Sequence, residues 1–131
     1  IVQNNMSNHA AYCRALAGVP GIRVLSYDST ERNSHHYIVL EVGPECPVSR
    51  DAIIEALHAE NVLARKYFWP GSHRMQPYRD LFPHAGLVLP HTCTVAEQIV
   101  VLPNGMSMRS EHIDVIASLI TLLVRSANAT K

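Results

Sequence analysis

The stretch YIVLEV, residues 37–42, decides the fold. Its β-branched and aromatic side chains suit a pleated, half-buried surface, and Gly43, Pro44 and Pro47 close it off at once. The reading is a strand over 37–42. Just upstream, Ile22, Val24 and Ser26 alternate with Arg23, Leu25 and Tyr27, a second strand with one ambiguous face. The polar run Asp28–Ser34 between them is a hairpin loop, and two strands joined so briefly pair antiparallel. Further upstream, Asn5–Ala17 reads as a helix with Ala10, Ala11, Leu16 and Ala17 as its small or apolar positions. Gly18 stops it and Pro20-Gly21 makes a turn.

Downstream of the central strand, Ser49 is placed to cap a helix, and Asp51 falls in its first turn, where the helix dipole favours negative charge. Ile53, Ile54 and Leu57 form its apolar face, and it ends near Asn61. Val62–Phe68 reads as another strand. Residues 70–93 hold four of the eight prolines and little periodicity, so they form a long irregular excursion, the kind of segment that often carries function. A short helix over Thr94–Gln98 and a brief strand over Ile99–Leu102 follow, closed by Pro103, Asn104 and Gly105. Ser110 caps a last helix, with Ile113, Ile116, Ala117, Ile120 and Leu123 at core spacing, and the tail frays from Ser126. The class is α+β: a small, mainly antiparallel sheet with helices packed on it, in a single domain over 1–131.

Bulk properties narrow the functions. The chain has 131 residues, 47% of them apolar and 17% charged, enough to build one core. Eleven basic residues balance eleven acidic ones, which argues against nucleic acid as a partner. Polar residues interrupt the apolar run Ile113–Val124, which is too short for a membrane span. Cys13, Cys46 and Cys93 are an odd number at wide spacing, which fits a reducing, cytoplasmic setting better than a disulfide framework.

The chemistry concentrates in YFWPGSHRMQPY, residues 67–78. With Phe82, Tyr67, Phe68, Trp69 and Tyr78 put five of the aromatics within one short stretch of chain. They either cover one end of the sheet or form a pocket wall, since Trp and Tyr join an apolar body to a polar tip. Pro70-Gly71 fits the centre of a type II turn that would aim His73 and Arg74. His73 can donate, accept or titrate near neutrality, and Arg74 can hold a phosphate or carboxylate. The eight histidines match neither structural nor catalytic zinc spacing, so no metal is expected. A cysteine nucleophile needs a base and an activating environment; Cys13 reads as one face of a helix, Cys46 lies between two prolines and Cys93 is near His91, and all three read as buried or bystander thiols.

Four segments together resemble the C-terminal part of the sugar aminotransferases of the DegT/DnrJ/EryC1/StrS type: LAGVPGIRVLSYD (16–28), YIVLEV (37–42), SRDAIIEALHAENVLARKYFWPGSHRMQPYR (49–79) and AEQIVVLPNGMSMRSEHIDVIASLI (96–120). The run from ENVLAR to QPYR is the most specific and is similar to the branch that handles nucleotide-linked 4-keto-6-deoxysugars. The resemblance implies a fold-type-I enzyme whose large domain holds pyridoxal 5'-phosphate. This chain corresponds to the small domain that follows, starting inside the connecting helix, as the first residue Ile1 also suggests.

A Schiff-base lysine is needed for that chemistry. The lysines here, Lys66 and Lys131, do not match the family's motif. The resemblance therefore implies a substrate-capping domain with no cofactor site of its own, unable to transaminate alone. Its partners would be the nucleotide sugar, the large domain and a second copy of the chain, met through the Ala10, Ala11 and Leu16 helix. His73, at the family's P-G-S-H position, is the foremost substrate contact, followed by Trp69, Tyr67, Arg74 and Tyr78. The alternative is a free-standing, non-enzymatic domain that binds a ligand or a protein through the same aromatic loop.

Overall fold

The computed structural model describes residues 1–129. The sheet has three antiparallel strands, β1 (Ile22–Val24), β2 (Ile38–Val42) and β3 (Ile99–Leu102), in the order β1-β2-β3. Ile22 faces Val42 and Val24 faces Leu40, while Ile38 faces Leu102 and Leu40 faces Val100. That register puts Ile38, Leu40, Val42, Val100 and Leu102 on one face, and all five are buried. The helices α1 (Val2–Ala15), α2 (Arg50–Ala59) and α5 (Ser110–Ala129) supply most of the remaining core through Tyr12, Ile53, Ile54, Leu57, Ile113, Ile116, Ala117, Ile120 and Val124. The expected α+β architecture is present, with helices on an antiparallel sheet.

Several elements depart from the sequence reading. No strand forms over Val62–Phe68. Only Arg65 pairs, through its amide to the Val101 carbonyl (3.0 Å) and its carbonyl to the Val101 amide (2.9 Å). Asn61 sits at φ +64° and the Ala64 amide bonds back to the Val62 carbonyl at 2.9 Å, so the backbone before Arg65 is too curled to extend the ladder, and turns begin at Tyr67 just beyond it. Strand β1 stops at Val24. The Leu25 amide still reaches the Val39 carbonyl at 2.9 Å, but the Leu25 carbonyl is taken by Nε2 of His9 at 2.8 Å.

Helix α1 buries Asn5, Asn8 and Tyr12, and its alanines are only partly covered. Leu16, expected at an interface between copies, is instead part of the core, with Ala11 packed against it. That helix face is occupied by the chain's own α5 and sheet. Ser110 is the first helical residue of α5 rather than its cap. The Arg109 amide donates to Nδ1 of His112 at 3.3 Å and the His112 amide to the Arg109 carbonyl at 3.1 Å, a reciprocal closure of the helix end. The helix continues through Ser126 to Ala129; the last part of the tail, Thr130 and Lys131, lies outside the described residues. Length and composition alone would let α5 cross a membrane, yet its apolar stripe is buried against the sheet and the other helices.

A polar network stitches the turn after β3 to α1. Asn8 donates to Oδ1 of Asn104 (2.9 Å) and to the Gly105 carbonyl (3.2 Å), Asn4 donates to the same carbonyl (2.9 Å), and the Tyr12 hydroxyl donates to the Pro103 carbonyl (3.0 Å). Asn104 in turn donates to the His35 carbonyl at 2.7 Å. These inward-facing amides have partners, so their burial is tolerated.

Candidate functional site

The irregular excursion leaves the body at Lys66 and returns through α4 (Pro90–Gln98), and both ends are held by the start of α2. The Ser49 hydroxyl accepts from the Ala52 amide at 3.2 Å, which seats the helix end. Next to it Arg50 is buried, its side chain only 4% exposed, and Nη1 donates to the carbonyls of Ala96 (2.9 Å) and Ile99 (3.2 Å). These carbonyls lie at the C-terminal end of α4, where a cation is favoured. Asp51 takes the Arg50 Nε–H on one oxygen and the Lys66 ammonium on the other, at 3.0 Å. The Lys66 hydrogen bond, with help from Arg50, holds the Asp51 carboxyl below its ordinary value. Lys66 also lies 5.1 Å above the Trp69 ring.

The bend itself differs from the type II turn expected at Pro70-Gly71. The turn spans Phe68–Gly71, closed by the Gly71 amide on the Phe68 carbonyl at 2.7 Å, with the cis proline Pro70 third. Gly71 takes φ +94°, and an added Cβ there would meet the His73 ring at 2.8 Å. A 3-10 turn over Ser72–Arg74 then presents His73. The one-turn helix α3 (Tyr78–Leu81) and a 3-10 turn over Ala85–Val88 fold back beside it.

Together they enclose a recess of about 380 Å³ lined by Ser72, His73, Tyr78, Phe82, Leu89 and Thr92. The recess is open to solvent: Tyr78 is 53% and Phe82 61% exposed. His73 lies with Nε2 3.5 Å from Sγ of Cys93, and Arg74 lies with Nη2 3.4 Å from the same sulfur and Nη1 3.8 Å from Glu97.

The five candidate residues do not converge. His73 and Tyr78 share the recess, while Arg74 turns to α4 and Trp69 covers Lys66. Tyr67 belongs to a separate hollow of about 280 Å³ with His36, Tyr37, Arg65 and Asn104. There its hydroxyl meets that of Tyr37 at 3.1 Å, a hydrogen bond that pushes the Tyr37 phenol up. Sequence reasoning left out Leu89, Thr92 and Cys93, because no spacing rule places α4 against His73 across a folded loop. It also missed Arg50, whose position at a helix start reads as solvent-facing.

Comparison with known proteins gives the arrangement its context. A transaminase from Escherichia coli, dTDP-4-amino-4,6-dideoxy-D-glucose transaminase, is 29% identical over 109 residues, 83% of this chain and 29% of the relative. The Shigella dysenteriae protein of the same description is 23% identical over 91% of this chain and 32% of its own length. Among solved structures, DesI in the presence of its TDP-sugar product superposes with a TM-score of 0.87 at 36% identity, covering 99% of this chain and 33% of that one. Helicobacter pylori PseC, an aminotransferase involved in the biosynthesis of pseudoaminic acid, shares the fold with a TM-score of 0.82 at 21% identity, over 95% of this chain and 33% of its own. The chain thus spans about a third of the length of the relatives it matches. With the family pattern itself matching residues 1–121, this chain belongs to the DegT/DnrJ/EryC1/StrS aminotransferase family.

Proposed function

We propose that these residues form the small, substrate-capping domain of an aminotransferase acting on nucleotide-linked 4-keto-6-deoxysugars, with His73 and Tyr78 facing the sugar. The observation that carries this reading is the solvent-open recess at His73, in a chain 36% identical to a protein solved with its TDP-sugar product. An imidazole that both donates and accepts, set among aromatic and aliphatic walls, suits a deoxyhexose, whose faces are apolar and whose hydroxyls need fixed partners. Trp69 and Arg74 then act at the rim, and Tyr67 meets the substrate from its separate hollow.

Pyridoxal phosphate, which the family implies, does not fit the residues present. The lysine among the described residues, Lys66, has its amine committed to Asp51 at 3.0 Å and to the Trp69 ring, far from a free nucleophile in a pocket. On this reading the cofactor's lysine and phosphate site lie in a large domain outside these 131 residues, and the chain alone does not transaminate. Adding pyridoxal phosphate to the purified chain is expected to give no absorbance of a lysine-bound cofactor.

The capping role is tested by replacing the small domain of a homologous full-length sugar aminotransferase with this chain. The chimera is expected to aminate a dTDP-4-keto-6-deoxyhexose, and His73→Ala to cut kcat/KM by roughly tenfold or more. Unchanged kinetics in that variant would remove His73 from the site.

A second reading has its own observation. Phe68, Leu81, Phe82, Leu87 and Val88 are between 61% and 81% exposed on the excursion, a large apolar surface for a chain of this size. The same surface would serve a free-standing binding domain, or a second copy of the chain. Sedimentation distinguishes the two: association through the excursion without sugar affinity favours the non-enzymatic reading.

A further inference from the structure

We propose that Cys93 is a thiol-exchange site for low-molecular-weight disulfides, and that its oxidation state governs how His73 is held. The three cysteines have different surroundings. Cys46 packs against the core, its backbone pressed close to Gly21. Cys13 sits on α1 with the His9 imidazole 3.8 Å from its sulfur, but that ring is committed to the Leu25 carbonyl at 2.8 Å, and burial pushes the thiol up against the weaker opposing pull of Arg14. Cys93 lies within the first turns of α4, with the His73 imidazole at 3.5 Å and the Arg74 guanidinium at 3.4 Å from its sulfur. A thiol beside both an imidazole and a guanidinium, near the start of a helix, has the surroundings of a reactive cysteine.

The exchange balances without a further reagent. The imidazole of His73 takes the Cys93 proton, and the thiolate attacks one sulfur of the incoming disulfide. A Cys93 S–S bond forms as the disulfide's own S–S bond breaks, and the departing thiolate takes the proton from the imidazole. The Cys93 sulfur is oxidised, and half of the disulfide is reduced to a free thiol. His73 and Thr92, neighbours of Cys93 in space and in sequence, line the open recess, and Cys93 itself is partly exposed beside it. Arg74 is 44% exposed and, although Glu97 lies 3.8 Å from its Nη1, its remaining donors favour reagents that carry carboxylates.

Once the mixed disulfide forms, His73 loses its thiol partner, and the retained group lies beside the recess that His73 lines. This consequence, though not the exchange itself, rests on the proposal that the recess receives the sugar.

The test uses the full chain, oxidised glutathione and cystamine, and peptide mass mapping over time. Cys93 is expected to react roughly tenfold faster than Cys13 or Cys46. Glutathione is expected to outpace cystamine, and Arg74→Gln to erase that preference. Cys93→Ser, close in shape, removes the fast phase while the circular dichroism spectrum stays the same. Labelling of Cys13 or Cys46 first, or of all three at one rate, overturns the proposal. Added dTDP-sugar is expected to slow Cys93 labelling. Fast labelling that sugar does not slow upholds the exchange site and counts against the sugar reading.

Discussion

Nη1 of Arg50 lies 2.9 Å from the carbonyl oxygen of Ala96, while the next residue, Asp51, holds the Lys66 ammonium at 3.0 Å. Two adjacent residues at one helix start thus grip both ends of the excursion that carries His73. Replacing Arg50 with Met keeps the stem but leaves the Ala96 and Ile99 carbonyls without a donor. The expected cost is roughly 1–3 kcal/mol in chemical denaturation. Hydrogen exchange over residues 67–98 is expected to accelerate more than exchange in β2. Uniform acceleration would make Arg50 a general stabiliser and not a clamp.

Asp51 gives the pH dependence. Its carboxyl is held low by Lys66 and Arg50, so the folded state binds its proton less readily than the unfolded chain. The stabilisation is therefore present above the unfolded carboxyl's value, near pH 3.9, and fades as pH falls through the lower folded value. Because the side chain is 49% exposed, solvent screens the effect and the difference is small. Denaturation midpoints of the wild type and Asp51→Asn should differ at pH 6 and converge toward pH 3. A constant gap across that range would place the loss in helix capping alone.

Asn8 ties α1 to the turn after β3 through two hydrogen bonds, at 2.9 and 3.2 Å. Asn8→Ala is expected to cost roughly 1–3 kcal/mol, because partners are left unsatisfied in a mostly buried place. Asn8→Asp keeps the shape but turns the donor into an acceptor facing two acceptors, and is expected to cost at least as much. An urea midpoint unmoved by either change would show the network to be dispensable.

Gly18 and Gly21 both take positive φ, +74° and +71°, yet their surroundings differ. A Cβ on Gly18 meets nothing within 4 Å, whereas one on Gly21 would lie 2.4 Å from backbone atoms of Cys46. Gly18→Ala is expected to cost about 1 kcal/mol from backbone strain alone. Gly21→Ala is expected to cost clearly more, since the connection after β2 must move. Equal melting temperatures for the two variants would contradict the close approach.

The sequence made the framework legible where burial and periodicity agree. The apolar alternation of β2 and the helical spacing of Ile53, Ile54 and Leu57, or of Ile113, Ile116, Ala117 and Ile120, all translate into core positions. It misled where a polar residue faces inward. Asn8, Tyr12 and Arg50 carry their own hydrogen-bond partners into the interior, and no pattern of hydrophobicity announces that. The strand expected over Val62–Phe68 had the right side chains but lacked an extended backbone outside the Arg65–Val101 bridge, because Asn61 and the Ala64–Val62 hydrogen bond curl the chain locally. Within the site, the aromatic run was visible at once. The meeting of His73 with Cys93, twenty residues apart, was not, because it depends on two short turns with no periodicity of their own.

The Arg50–Asp51 pair also bears on how such a scaffold can diversify. A hoop of chain fastened at one dipeptide can be lengthened, shortened or rewritten between its fixings without disturbing the strands beneath it. Residues 75–92 are thus a natural place to graft new recognition loops, and the foundation they stand on need not be redesigned.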